Sequence, residues 1–359
     1  MLAVSLITLG DPEQLTGGYL YHRRLAELAP DHGARIRFAS FPQRAFPLPV
    51  VRAGAVLRDA LRPPVDVLLL DSIAAAYAAP WLTRHRLDVP LVAILHQPPG
   101  GIDHHGPHRL LQAWLDGAAY RQARLLVLAS ALLTGQLPAR YRRGRLLVVP
   151  PGRDVATAVE DAPANLRRGR RAALLCVGNW VERKGILDLL EALSRLPPDA
   201  ATLHLVGSDI PEPGYAARVR ARLARPDLAG RVVVHGSLDR SQVAGMYAAA
   251  DAFVLASVRE PYGTVYGEAM AAGLPVVGWR AGNLPHLATH DREGLLIPPG
   301  NVEGLAGALR RLAEDEAYRG RLGEAARARA ASLPTWSESA ALLFDALREV
   351  VARPGRAVR

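Results

Sequence analysis

Short apolar runs alternate with longer stretches whose apolar residues recur three and four apart. In the first half, residues 3–9, 35–38, 67–70, 91–95, 125–128 and 146–149 read as strands, and stretches such as 19–29 and 108–123 as amphipathic helices. A polar, arginine-rich segment follows, from Pro150-Pro151-Gly152-Arg153-Asp154 to Arg171. The alternation then restarts, with strands at 173–177, 202–206, 232–235, 252–255 and 275–278 and helices at 186–196, 215–223, 240–249 and 264–272. A last amphipathic helix spans 336–351. Strands alternating with helices imply parallel sheets covered on both faces. The restart implies two such α/β domains, over 1–155 and 172–335, joined near 150–172. The helix and tail over 336–359 are expected to pack back towards the first domain. Doubly wound sheets bind ligands at the carboxyl ends of their strands, so the candidates are the residues found there.

Composition narrows the function classes. A chain of 359 residues suits about two domains. With 50% hydrophobic and 22% charged residues it can bury full cores, which excludes a disordered chain. The N-terminus MLAVSLITLG has no basic leader and runs into Asp11, Pro12 and Glu13, so it reads as a buried strand and not a signal peptide. The apolar stretch 65–82 carries Asp66 and Asp71, which argues against a membrane span. A cytoplasmic protein with no transmembrane segment is expected. The single cysteine, Cys176, offers neither an intrachain disulfide nor a cysteine metal site, and reads as a small core residue. Net charge is +10, and residues 1–153 hold 18 basic against 10 acidic residues. That excess suits an anionic acceptor or the acidic inner face of a membrane. It is equally readable as an arginine-rich surface without a special partner. The basic residues do not interleave with aromatics in a nucleic-acid-binding module. Lys184 is the only lysine; an ammonium is a compact point charge where a guanidinium is a planar fork, so the exception hints at a site.

Two segments carry the chemistry. Gly178-Asn179-Trp180-Val181-Glu182-Arg183-Lys184-Gly185 follows a strand and opens a helix. A glycine-containing turn with two cations there suits a diphosphate, although an ordinary strand-to-helix turn with exposed charges would look the same. The second segment, Glu260-Pro-Tyr-Gly-Thr-Val-Tyr-Gly-Glu268, places Glu260 at the end of a strand and Glu268 about one turn into the next helix. Backbone N–H groups near Gly263, Thr264 and Val265 would then point at an anion held between two carboxylates. Carboxylates suit sugar and ribose hydroxyls, since each oxygen accepts hydrogen bonds; the same pair is also readable as a helix-start acid and a surface acid. His96 ends the strand LVAIL, where it either faces a ligand or caps the strand. His104, His105 and His108, near Asp103, fit an exposed loop better than a metal site. No Asp-x-Asp occurs in the chain, so neither a metal ion nor another cofactor is expected.

Residues from about 172 to 340 resemble the donor domain of the family-4 retaining glycosyltransferases. The resemblance rests on VGNWVERKGILDLLEAL, LHLVGSD, the segment from VVVHGSLDRSQ to VVGWRAGN, EGLLIPPGN and TWSESA, in that order. The first half matches more loosely, through Gly17-Gly18, His96, Ser130 and VVPPGRD. The resemblance implies the GT-B fold, two Rossmann-like parallel-sheet domains facing a central cleft, and a nucleotide sugar and a hydroxyl acceptor as partners. It implies that Arg183 and Lys184 neutralise the diphosphate, Glu260 contacts the donor sugar and Glu268 binds the ribose diol. Backbone at Gly178, Asn179 and Gly263–Val265 would bind phosphate and sugar. Gly17 and Gly18 would let the first loop approach the diphosphate, with His96 near the reacting sugar. Three positions depart from the family: Asn179 stands where an arginine is usual, Pro151 where asparagine is, and His286 where glutamate is. The expected activity is metal-independent transfer to a glycan, glycolipid or small acceptor. Alternatives are a nucleotide-sugar epimerase or phosphorylase-like enzyme of the same fold, or a non-catalytic sugar-nucleotide or glycan-binding subunit.

Overall fold

The computed structural model describes residues 1–12, 17–44, 47–104, 106–153 and 163–353; His105 and Asp154 lie outside the described residues. The chain divides into two compact units. One comprises Met1–Gly152 with Pro334–Arg359, the other Arg153–Leu333.

The first unit alternates β1 (Leu2–Leu9), α1 (Gly17–Leu28), β2 (Ala34–Phe41), α2 (Ala53–Ala60), β3 (Val67–Asp71), α3 (Ala75–Leu82), β4 (Leu91–Leu95), α4 (Gly106–Tyr120), β5 (Leu125–Leu128), α5 (Ala131–Gln136) and β6 (Arg145–Val148). The strands form one parallel sheet in the order β2-β1-β3-β4-β5-β6. Strands β3, β4 and β5 are buried at every position, as expected where helices cover both faces. The second unit alternates β7 (Ala172–Val177), α6 (Ile186–Ser194), β8 (Ala201–Val206), α7 (Pro213–Leu223), β9 (Val232–Gly236), α8 (Arg240–Ala249), β10 (Ala252–Leu255), α9 (Thr264–Ala271), β11 (Val276–Trp279), α10 (Leu284–Leu287), β12 (Gly294–Ile297), α11 (Val302–Glu314) and α12 (Glu316–Ala331). Its parallel sheet has the order β12-β11-β10-β7-β8-β9.

The final helix α13 (Trp336–Ala352) belongs to the first unit. Thr335 starts it with a capping box, in which its hydroxyl accepts from the Glu338 N–H while the Glu338 carboxylate takes the Thr335 N–H. Trp336, Leu343, Phe344 and Leu347 then fill one face of the first sheet against Val4, Leu6, Leu25 and Ile94. Gly152 admits this helix, since a Cβ there would lie 2.2 Å from the Trp336 nitrogen.

Several element bounds differ from the sequence reading. Strand β11 begins at Val276 and not at Pro275, which has no N–H to give the ladder. Helix α4 ends at Tyr120, because the N–H groups of Gln122 and Ala123 turn back onto Ala119 and Tyr120. The apolar stretch 65–82 splits into β3 and α3; α3 is apolar on nearly all sides and so shows no helical period.

Phe344 is fully buried, so Phe344→Ala should destabilise the first unit by about 3–5 kcal/mol. A denaturant midpoint equal to that of the unsubstituted chain would contradict this packing.

Candidate active site

In the second sheet the strand order reverses between β7 and β10. Strands β8 and β9 lie to one side and β11 and β12 to the other. At such a point consecutive crossovers leave on opposite faces and open a crevice at the carboxyl ends. Those ends are Val177 and Leu255. The loops beyond them carry the two segments singled out by the sequence, and they meet. Lys184 Nζ donates to Glu260 Oε2, and Arg183 Nη1 lies 3.7 Å from the same oxygen. The side chains of Lys184 and Glu260 are only 11% and 14% exposed, so water screens the pair poorly.

Backbone contacts stitch the loops together. Val258 N–H and the Ser257 hydroxyl both donate to the Arg183 carbonyl, at 2.9 and 3.2 Å. Gly185 makes the approach possible: its φ is +65°, and a Cβ there would lie 2.2 Å from the Ala256 carbonyl oxygen. Glu260 is not at the end of a strand, as read from sequence. It lies five residues past β10, and the loop is held by Asn283, whose N–H donates to the Glu260 carbonyl at 2.9 Å and whose Nδ2 donates to Tyr262 O at 2.8 Å.

Helix α9 opens beside Glu260. Its N-cap is Gly263, at φ +81° with no capping side chain. Thr264 and Val265 form a partly exposed first turn, where backbone N–H groups carry partial positive charge. Glu268 is the fifth residue of the helix, and its Oε2 accepts from the Tyr247 hydroxyl at 3.1 Å. Burial and the Glu268 charge push the Tyr247 hydroxyl well above its ordinary range, so it remains a donor. Tyr247 lies on α8, and nothing in the sequence marks it. The lysine stem packs beside Gly178, where a Cβ would meet Lys184 Cε at an ordinary contact distance of 3.5 Å. Asn179 is exposed and its Oδ1 accepts from the Ser208 N–H at 3.1 Å, so this side chain fixes the neighbouring loop. Cys176 is buried and burial raises its thiol to about 12, as suits a core residue.

In the first sheet the order reverses between β1 and β3. Gly17 and Gly18 open α1 after β1, Asp71 ends β3 and His96 follows β4. Asp71 Oδ2 lies 2.9 Å from His22 Nε2, and His22 Nε2 lies 3.3 Å from His96 Nε2. A Cβ on Gly18 would lie 3.7 Å from the His96 ring. Burial raises the Asp71 carboxyl, but His22, His96 and the Ile73 N–H outweigh it and hold it at about 2. Burial and His22 push His96 down to about 4. His22 and Asp71 were not anticipated from sequence; the available signal was a carboxylate closing a four-residue apolar strand. Among the described residues these three form the group whose metal-ligating atoms converge, all within 4.8 Å. The rings of His104 and His108 lie tilted by 48° with centroids 4.6 Å apart, outside that group.

The glycosyl transferases group 1 family model matches residues 159–329. The chain is similar to glycogen synthase from Mycobacterium tuberculosis, 31% identical over 284 residues that cover 72% of this chain and 65% of the relative. The match thus spans about two thirds of that relative's length. Among solved structures, sucrose-phosphate synthase from Thermosynechococcus elongatus superposes with a TM-score of 0.84 at 22% identity, covering 98% of this chain and 100% of the other. Anabaena Alr3699/HepE, in complex with UDP and glucose, gives 0.75 at 21% identity over 96% and 99%. These likenesses show the GT-B fold.

The trio, with His22 and Asp71 buried and His96 half-buried, makes stability depend on acid. Folded His96 stays neutral down to about pH 4, whereas an unfolded histidine takes a proton near 6.5. Below 6.5 the unfolded chain therefore binds more protons and stability falls. Asp71 acts in the same direction further down, its contribution fading from the unfolded value of 3.8 to about 2. The melting temperature should fall between pH 7 and 4, with a shallower slope in His96→Asn. An equally steep slope in that variant would contradict the assignment.

Proposed function

We propose that the chain, which resembles the glycosyl transferases group 1 family, is a member of it that moves a sugar from a nucleoside-diphosphate sugar to an acceptor hydroxyl, with retention at the anomeric carbon and no metal ion on the diphosphate. The observation that carries this reading is the meeting of Lys184, Arg183 and Glu260 at the sheet's reversal point, beside the uncapped start of α9. The Anabaena structure, which holds UDP and glucose, supports a nucleoside diphosphate as the donor's leaving group.

The parts divide the work by charge. As the bond from the anomeric carbon to the phosphate oxygen breaks, negative charge grows on the diphosphate. Lys184, Arg183 and the first N–H groups of α9 stabilise that charge, and fixed dipoles act most strongly where it develops. The diphosphate competes with Glu260 for the ammonium, which frees the Glu260 carboxylate to accept from sugar hydroxyls. Glu268, oriented by Tyr247, accepts from the ribose diol. The acceptor oxygen bonds to the anomeric carbon on the same face, and its proton passes to the leaving phosphate oxygen. This arrangement takes the part that a metal ion plays elsewhere.

For the acceptor, we read an anionic or membrane-associated molecule reached by peripheral docking. Among the described residues no helix is long and apolar enough to cross a membrane. Helix α4 exposes Leu110 (72%), Leu111 (49%) and Trp114 (60%). Leu110 and Trp114 lie on one face of α4 at helical spacing, with the buried Gly117 one turn on and Arg121 just past the helix end. The Tyr141 ring covers Gly117, and the guanidinium groups of Arg121 and Arg140 lie 5.8 and 4.9 Å from that ring's centre. Apolar side chains beside guanidinium groups suit an interface with anionic lipid.

Two measurements test these readings. With nucleotide sugar in EDTA-containing buffer, Lys184→Ala should lower turnover by about 10²–10³-fold in protein that remains folded at the assay temperature. Turnover like that of the unsubstituted chain, or activity that requires added Mn²⁺, would overturn the site assignment or the metal-free reading. Anionic vesicles should sediment the protein at low salt and Leu110→Glu/Trp114→Glu should abolish this. Indifference to vesicles would leave a soluble acceptor.

A further inference from the structure

The reversal point of the first sheet holds a chain of polar groups, buried at Asp71 and His22 and half-buried at His96, whose protons can be placed from geometry. Asp71 accepts at both oxygens. Oδ2 takes the Thr8 hydroxyl at 2.9 Å and faces His22 Nε2 at 2.9 Å, and Oδ1 takes the Ile73 N–H at 3.2 Å and the Ser72 hydroxyl at 3.3 Å. A carboxylate held ionised only accepts, so His22 Nε2 carries a proton. The same nitrogen faces His96 Nε2 at 3.3 Å. Two N–H groups cannot point at one another, so His96 Nε2 presents its lone pair, and the one His22 N–H is shared between Asp71 Oδ2 at 2.9 Å and that lone pair. The proton of the neutral His96 ring is then on Nδ1, on the side away from His22.

The ring cannot easily turn out of this arrangement. Tyr21 packs edge-on against it with centroids 4.9 Å apart and donates its hydroxyl to Val149 O at 3.0 Å. The His96 backbone N–H donates to Ser72 Oγ at 3.1 Å, which fixes where the side chain starts. The converging atoms of His22, Asp71 and His96 also resemble a metal-ligand set. For His22 Nε2 to ligate, however, its proton would have to move to Nδ1, which is buried and has no hydrogen-bond partner among the described residues. Burying an unpaired N–H is unfavourable, so the geometry favours a proton on Nε2 over a cation.

We propose that His22 and Asp71 are positioning residues that fix His96 as a hydrogen-bond donor through Nδ1, with no lone pair left to act as a general base. The role of His96 towards substrate rests on the glycosyltransferase reading above. Its tautomer does not. With Nε2 committed to His22, His96 can steady a substrate oxygen but cannot remove the acceptor proton. That leaves the proton to the leaving phosphate oxygen, as in the same-face transfer proposed above.

The test is ¹⁵N NMR of histidine-labelled full-length protein, read alongside kinetics. His96 should show a protonated Nδ1 and a bare Nε2 throughout pH 8 to 5. His22→Leu should release it to the Nε2–H tautomer, with titration moved up towards 6.5, and should lower kcat by roughly 10–100-fold, by analogy with partners that orient metal-bound histidines, with little change in donor KM. His22→Gln keeps a folded site and an amide donor, and should restore the Nδ1–H tautomer and most of kcat. An Nε2–H tautomer in the unsubstituted protein, a tautomer indifferent to His22→Leu or unrestored by His22→Gln, or Zn²⁺-dependent shifts of both rings would overturn the proposal. The expected tautomer without any sugar transfer would instead sink the glycosyltransferase reading and leave the proton placement standing.

Discussion

Every strand pairing in both sheets is parallel, and the rest of the structure depends on that constraint. Parallel strands must be joined by crossovers on the sheet faces, so within each unit every strand ends at the same edge. Loops far apart in sequence are thereby brought together. Lys184 and Glu260 are 76 positions apart, yet each follows one of two adjacent strands at the point where the order reverses. The same rule in the first unit gathers Thr8, Asp71 and His96 from the ends of β1, β3 and β4, with His22 from α1.

At both edges a buried charge is held by a partner whose own geometry is fixed elsewhere. Lys184 needs Glu260, Glu260 needs the loop held by Asn283, and the loops approach only because Gly185 has no side chain. Removing one member of such a pair leaves the other charge poorly solvated. A pair of this kind is also ready to exchange partners. An incoming diphosphate can take the ammonium while sugar hydroxyls take the carboxylate, so neither charge is left without compensation.

Much of this was legible in the sequence because the period of the apolar residues reports the element directly. The alternation of strand and helix gave the α/β class, and Arg183-Lys184-Gly185 and Glu260-x7-Glu268 marked the loops with chemistry. Strand order was not legible, since a run such as Phe253-Val254-Leu255 carries no label for its neighbours. Without the order, nothing showed that Lys184 would touch Glu260. Tyr247 and His22 were invisible for a related reason. Each acts through a contact made across the fold, and a buried tyrosine or histidine on a helix looks in sequence like any other core residue. Asp71 was the missed opportunity. A carboxylate directly after Leu68-Leu69-Leu70 must be buried at a strand end, where only a fixed partner can hold it charged.

The central claim is that the edge of the second sheet binds a nucleoside diphosphate through Lys184, the start of α9 and Glu268. Isothermal titration of UDP, GDP and ADP in the presence of EDTA tests it most directly. At least one should bind the unsubstituted protein at one site per chain. Glu268→Gln, which removes a charged acceptor from the ribose diol, should weaken that binding by about 1.5–3 kcal/mol, roughly 10–150-fold. Failure of all three nucleotides to bind, or undiminished affinity in Glu268→Gln, would contradict the account.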